Sequence, residues 1–320
     1  MCTALQYKYF FGRNLDLDYS YNEEVTITPR NFIFNFKYKE AIKTHFAMIG
    51  MAFIQEDYPL YYDASNEYGL SMAGLNFPKN AHYFHLNEDK DNIAPFKFIP
   101  WILSQCKNVA EALTLCKKIN LVNTPFNKNL PNATLHWIIS DANRAITVES
   151  TSDGLKIYEN PLGILTNNPP FDKQMFNLNN YKHLSNKDSN NNFSENINFE
   201  SYSLGMGSIG LPGDVSSQGR FVRISFFKEN SDVKENEYMS QFFHLLQSVY
   251  QPKGATYVEH SGKYEYTIYT SCVDTINGIY YYKTYNNSDI NGIDMKKENL
   301  DSEKLISYNL VLEQKINIQN

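Results

Sequence analysis

The chain reads as an α+β protein built largely from antiparallel strands. Three observations carry that reading. Short apolar or alternating runs recur along its 320 residues. Neighbouring runs are joined by tight turns such as "SDANRA", "STSDGL" and "NGI", which suit hairpins rather than βαβ crossovers. Helical periodicity is concentrated in residues 100–118 and in "NEYMSQFFHLLQSVYQ", so a few helices are expected to cover sheets.

Taken in order, the strand-like runs are "TALQYKYFFG", "EEVTITP", "HFAMIGMAFI", "ATLHWIISD", "RAITVES", "GLKIYE", "LGILTN", "YTIYTSCVD" and "GIYYYKTYN". The first holds a hairpin. Pairing residue 2 with 13, 4 with 11 and 6 with 9 leaves Tyr7 and Lys8 as its turn. Residues 176–200, "FNLNNYKHLSNKDSNNNFSENINFE", are rich in Asn and Ser and read as a surface insertion or an exchanged arm. No repeat and no Pro- or Gly-rich linker divides the chain, so residues 1–320 are read as a single domain.

Composition narrows the function. Hydrophobic content of 42% and aromatic content of 15% exclude global disorder, and a formal net charge of −6 gives no basis for binding nucleic acid. Lys8, Arg13, Asp16 and Asp18 interrupt the first twenty residues, which therefore lack the apolar core of a secretory signal. No apolar run reaches the roughly 18 residues of a membrane-spanning helix. A cytoplasmic protein without membrane insertion is expected. Cys2, Cys106, Cys116 and Cys272 show no CxxC spacing, which argues against a zinc site or a disulfide framework. The last three read as buried, inert thiols.

Cys2 has two readings. It is a weakly ordered thiol at a frayed end, or Met1 is removed and Cys2 becomes a nucleophile whose own α-amine serves as base. That amine (pKa near 8) and thiol (near 8.5) can exchange a proton at neutral pH. A neighbouring guanidinium, for which Arg13 is the nearest candidate, would help: lowering the thiol pKa from about 8.5 to about 6.5 raises the thiolate fraction at pH 7 from roughly 3% to roughly 75%. Asp16 is placed to orient the ammonium form. Arg13 and Asp16 are an odd number of residues apart and would point to opposite faces of a straight strand, so a bend at "GRNLD" is expected; Gly12 suits close packing there. None of the seven histidines belongs to a motif linking it to a cysteine; His136 reads as a strand residue beside Trp137.

The motifs "MCT", "FGRNLDLDYS", "TPRNF", "AGLNFP", "NATLHWIISD", "GILTNNP", "GLPGD" and "GRFVR" together resemble, in order, those of the bile salt hydrolases and penicillin V acylases, the choloylglycine hydrolase family of N-terminal-nucleophile hydrolases. The resemblance implies a four-layered αββα sandwich of antiparallel sheets. It also implies cofactor-free amide hydrolysis through a thioester acyl-enzyme. By resemblance Cys2 attacks, Arg13 supports the thiolate and Asp16 contacts the terminal amine. The backbone N–H of Asn76 and the side-chain amide of Asn167 face the oxyanion, and Arg220 ties the polar site together. Asn at position 76 resembles the bile salt hydrolases, whereas the acylases tend to carry Tyr, so a conjugated bile salt is the expected substrate; the alternatives are an acylase of penicillin V or other N-acyl amides with the same mechanism, and a non-catalytic scaffold that retained the fold. Leu15, Phe53, Ile54, Phe126 and Leu130 are the expected apolar contacts. The family also implies a homotetramer assembled through residues 176–210. Without the resemblance Asn76 and Asn167 read as turn residues and "RFVR" as a half-buried strand. Two departures stand out: the first hairpin is short and lacks a turn-favouring residue, and Gly219 precedes Arg220, where it would loosen the strand holding that arginine.

Overall fold

The computed structural model describes all residues, 1–320. In chain order the elements are β1 (Cys2–Tyr7), β2 (Phe10–Leu17), β3 (Glu24–Thr28), β4 (Met48–Gln55), β5 (Tyr58–Asn66), β6 (Ser71–Asn76), β7 (Asp91–Ile93), α1 (Phe98–Leu103), α2 (Val109–Cys116), β8 (Ile119–Leu121), β9 (Leu135–Ser140), β10 (Ala145–Thr151) and β11 (Gly154–Glu159). There follow β12 (Ile164–Leu165), α3 (Phe171–Asn177), α4 (Ser217–Glu229), α5 (Tyr238–Gln247), β13 (Thr256–Val258), β14 (Lys263–Asp274), β15 (Ile279–Thr284), β16 (Asn291–Asp294) and β17 (Ile306–Asn309).

Two antiparallel sheets stack face to face. One runs β12-β1-β2-β14-β15-β16 with β13 added to β14, and the other runs β11-β10-β9-β6-β5-β4-β3-β17. Alternation along each strand decides which side chains enter the space between them. Leu15, Val25, Ile27, Ile49, Met51 and Ile138 belong to one core, which extends to Phe221 and Phe242 of the helices α4 and α5. The opposite face of the second sheet, including Met48, Met72 and Ile146, packs against Phe98, Ile102 and Val109 of α1 and α2. The layers are therefore helix, sheet, sheet, helix.

Several local expectations change. The first hairpin pairs Cys2 with Leu15, Ala4 with Arg13 and Tyr7 with Phe10, so its turn is Lys8-Tyr9. This register differs from the expected one by two residues, an even number, so each side chain keeps its face. Lys8 takes a left-handed φ of 57°, the conformation that Gly or Asn would have adopted more easily. β2 runs unbroken through "GRNLD". The register slips on the facing strand, where Asp16 pairs with Thr267 and Leu15 with Tyr269. Residues 100–118 form not one helix but two, because the chain turns between Leu103 and Val109 and Asn108 caps α2 through the Glu111 N–H at 3.0 Å.

Arg220 lies on a helix, not a strand. Ser216 caps α4 by accepting the Gly219 N–H at 3.1 Å. A Cβ on Gly219 would sit 2.5 Å from Asp214 Oδ1, so this glycine lets the helix start lie tightly against Asp214 rather than loosening it. Gly12 is needed more strongly still, since a Cβ there would meet the Ser271 carbonyl oxygen at 2.1 Å.

Candidate active site

Cys2 begins β1 and is 2% exposed. Its side chain shares a cavity of about 590 Å³ with Arg13, Leu15, Gly74 and Asn76. Arg13 is fully buried between the sheets, and its NH1 donates to Gly74 O at 2.6 Å and to Tyr62 O at 3.0 Å. Burial works against its charge, yet the neighbouring Cys2 sulfur, Tyr269 and Asp63 outweigh that and hold the guanidinium firmly protonated. Its Nε and NH2 have no hydrogen-bond partner within the chain.

A second group of polar residues meets the backbone of Cys2. The Cys2 N–H donates to Asn167 Oδ1 at 2.7 Å, and Arg220 donates to the same oxygen at 2.8 Å and to the Cys2 carbonyl at 2.6 Å. Arg220 is itself fully buried and anchored through Nε to Val215 O at 3.1 Å; burial pulls its pKa down. Asp16 accepts the Thr267 hydroxyl at 2.7 Å through Oδ1, while its buried Oδ2 lies 4.0 Å from Arg220 NH1 and has no hydrogen-bond partner. Burial pushes this carboxyl up, opposed by the nearby N-terminal ammonium and Arg220. With Met1 in place, that ammonium pairs with Glu265 and donates to Asp16 O at 2.9 Å. No motif in the sequence points to Glu265.

Asn76 and Asn167 are brought together. Asn76 ends β6 opposite Leu135, and the next pair along is bonded from Phe77 N to Thr134 O at 2.8 Å. Antiparallel pairs alternate, so the N–H and C=O of Asn76 turn away from β9, toward the side on which Gly74 O meets Arg13. The Asn76 carbonyl accepts Asn167 Nδ2 at 2.8 Å. Asn167 is fixed in turn by its N–H, which donates to Ser217 Oγ at 2.8 Å. The six residues expected at the chemical centre thus form one connected cluster.

Of the expected apolar contacts, Leu15, Phe53, Phe126 and Leu130 line the cavity. Ile54 does not. It follows Phe53 on β4, so it faces the other side of the sheet and packs against the helix-covered core. Leu60, Tyr62, Tyr21 and Phe96 are lining residues that the sequence reading missed; the i, i+2 spacing of Leu60 and Tyr62 was the available cue.

The remaining thiols are buried. Burial pushes Cys106 up to about 12 and raises Cys116 and Cys272 as well, which leaves Cys2 as the thiol that opens on a cavity.

Stacked antiparallel sheets between helices, with a cysteine heading the first strand, define an N-terminal-nucleophile hydrolase, a cysteine amidohydrolase. Comparison with known proteins places it further. Residues 2–308 match the family described as linear amide C-N hydrolases, choloylglycine hydrolase family, and the chain belongs to that family. It is 52% identical to a bile salt hydrolase/transferase of Lactiplantibacillus plantarum over 97% of both proteins. Its fold superposes on the C2A variant of the conjugated bile acid hydrolase from Clostridium perfringens with a TM-score of 0.92, at 38% identity and full coverage of both chains. A penicillin V acylase from Agrobacterium tumefaciens shares the fold with a TM-score of 0.74 at 19% identity, covering 98% of this chain and 92% of that one. No helix is long and apolar enough to cross a membrane.

Proposed function

We propose that this enzyme hydrolyses the amide bond of glycine- or taurine-conjugated bile salts. The observation that supports this most directly is the cavity: about 590 Å³, walled mainly by apolar side chains, with Cys2, Arg13 and Asn76 at one end. A rigid steroid needs such a wall, and its amide needs polar groups at the end. Asn rather than Tyr at position 76 agrees with this substrate class, as do the names of the L. plantarum and C. perfringens relatives.

In the proposed reaction Met1 has been removed, and the Cys2 α-amine takes the thiol proton as Sγ adds to the amide carbonyl. Arg13 stabilises the thiolate. Asp16 Oδ2, which has no hydrogen-bond partner within the chain, accepts from the ammonium. The Asn76 N–H and the second hydrogen of Asn167 Nδ2 donate to the oxyanion. Collapse breaks the C–N bond while the ammonium gives its proton to the leaving glycine or taurine nitrogen. Water then adds to the thioester, deprotonated by the amine, and the bile acid leaves as the sulfur is reprotonated. We place the enzyme in the cytoplasm as a homotetramer and assign assembly to residues 176–210 of its single domain, where Phe193, Phe199, Tyr202 and Leu204 are exposed.

The test is release of ninhydrin-positive amine from taurocholate and glycocholate beside penicillin V. Cleavage of the conjugates, lost in Cys2→Ala, is expected. Cleavage of penicillin V alone would replace this reading with an acylase, and activity in a preparation that kept Met1 would remove the amine base. A strictly monomeric active enzyme by light scattering would remove the tetramer.

A further inference from the structure

His136, on β9, is wholly buried and plays no part in the reaction above. Its contacts nevertheless join the two stretches of chain that carry Asn76 and Asn167. Nε2 lies 2.9 Å from the Thr166 carbonyl; a carbonyl only accepts, so Nε2 carries the hydrogen. Thr166 immediately precedes Asn167. The imidazole also stacks on Phe77, with ring centroids 4.2 Å apart and planes 5° apart. Phe77 immediately follows Asn76. The third contact sets the rotation of the ring: Nδ1 is 3.0 Å from Glu149 Oε1, and the same oxygen accepts the Phe171 N–H at 3.0 Å. The circuit closes at the Asn167 Nδ2 to Asn76 O bond of 2.8 Å.

We propose that His136 is a positioning residue that fixes the separation and aim of the two oxyanion donors, with Glu149 fixing His136. This rests on the assignment of Asn76 and Asn167 to the oxyanion. The physical reason is that neither asparagine is held by a continuous ladder on the cavity side. Asn76 lies past the last β5–β6 pair, Asp63 with Ala73, and Asn167 lies past the two residues of β12. A buried ring bonded to one stretch and stacked on the other replaces that ladder, and donors misplaced by about 1 Å can cost a hundredfold in rate.

The inference separates oxyanion stabilisation from thiol reactivity, because alkylation of Cys2 by iodoacetamide develops no oxyanion. His136→Phe keeps an aromatic plane over Phe77 and loses both hydrogen bonds. Its kcat for taurocholate is expected to fall about 10- to 100-fold with KM within about threefold, while Cys2 is alkylated at the unaltered rate. His136→Gln, whose amide can reach Thr166 O, is expected to recover most of the kcat, whereas His136→Asn, which is too short, is not. Unaltered kcat in the Phe variant, or equal loss of alkylation and turnover, overturns the proposal. Should the Phe variant not fold, equal kcat in the Gln and Asn variants overturns it instead. Failure of the underlying assignment looks different: Asn167→Ala would then keep its kcat, and His136 would have no donors to position.

Discussion

Removal of the Asn167 side chain is the most direct perturbation of the proposed chemistry, because three hydrogen bonds pass through it. Oδ1 accepts from the Cys2 N–H and from Arg220, and Nδ2 donates to Asn76 O. In Asn167→Ala one neutral bond to a carbonyl is lost, at about 1 kcal/mol, and two donors are left without that partner, at about 1–3 kcal/mol each. Arg220 retains its bonds to the Cys2 carbonyl and Val215, so the lower end applies to it. The expected loss of stability is about 3–5 kcal/mol, read as a lower midpoint in urea with an unchanged slope. Catalysis suffers separately. Loss of one oxyanion donor costs about 10²–10³ in kcat, so taurocholate turnover is expected to drop by at least that range in protein that is still folded. The controls are circular dichroism at the assay temperature and the rate of Cys2 alkylation, which reports the nucleophile alone. A folded Asn167→Ala enzyme with kcat within tenfold of the unaltered one would refute both the donor assignment and the circuit through His136.

Three further outcomes follow from packing and charge. Gly12→Ala places a Cβ 2.1 Å from the Ser271 carbonyl oxygen, which forces β2 and β14 apart; a loss of about 3 kcal/mol or more, or failure to fold, is expected in chemical denaturation. Phe126→Ala is expected to raise KM for taurocholate about tenfold with little change in kcat, because Phe126 lines the cavity, while Ile54→Ala, on the other face of β4, should lower stability and leave KM alone. Burial pulls the Lys228 ammonium down to about 8, below its value of about 10.4 in the unfolded chain. The folded state thus disfavours the proton, and the resulting penalty, up to about 3 kcal/mol, is fully present below pH 8 and relieved as pH rises toward 10. Lys228→Met also loses the bond that Nζ donates to the Leu162 carbonyl, so the test is the trend: its stability relative to the parent should be higher at pH 7 than at pH 10 in paired thermal melts.

Strand existence was legible wherever periodicity had a single cause. The runs around Met48, Trp137, Val148 and Cys272 became β4, β9, β10 and β14, because burial on one or both faces leaves an apolar pattern. β5 escaped notice because "YPLYYDASN" carries Pro59 and ends in polar residues that are nonetheless buried; Asp63, Ser65 and Asn66 are satisfied by Tyr269, Ser71 and the Leu103 carbonyl. Composition cannot announce partners that come from other elements. The helix α4 was missed for a related reason. "GRFVR" mimics strand alternation, and the cue to a helix was the cap at Ser216, three residues before Gly219. Register was the least legible feature, since the turn at Lys8 contains no residue with a conformational preference for it.

The odd spacing between Arg13 and Asp16 appears at first to be an obstacle, because both were expected to act on one residue. Under the proposed chemistry it becomes a requirement. Arg13, Leu15 and Leu17 project to the cavity side of β2, while Asn14 reaches the α5 carbonyl of Leu246 and Asp16 approaches Arg220 of α4. Cys2 pairs with Leu15, so its sulfur shares the face of Arg13. Its nitrogen, however, is a backbone atom and meets Asn167, beside the charges of the opposite face. A nucleophile with a separate side-chain base would need both supporting charges on one face, at even spacing. A nucleophile that is its own base holds acid and base on two sides of one strand, and two charged groups three residues apart then serve one each. On this reading β2 needs no bend in "GRNLD" to serve both. Shifting Asp16 to position 15 or 17 should abolish turnover even though the charge is kept, and an active Asp16→Asn, Leu17→Asp double variant would show that parity has no part in the chemistry.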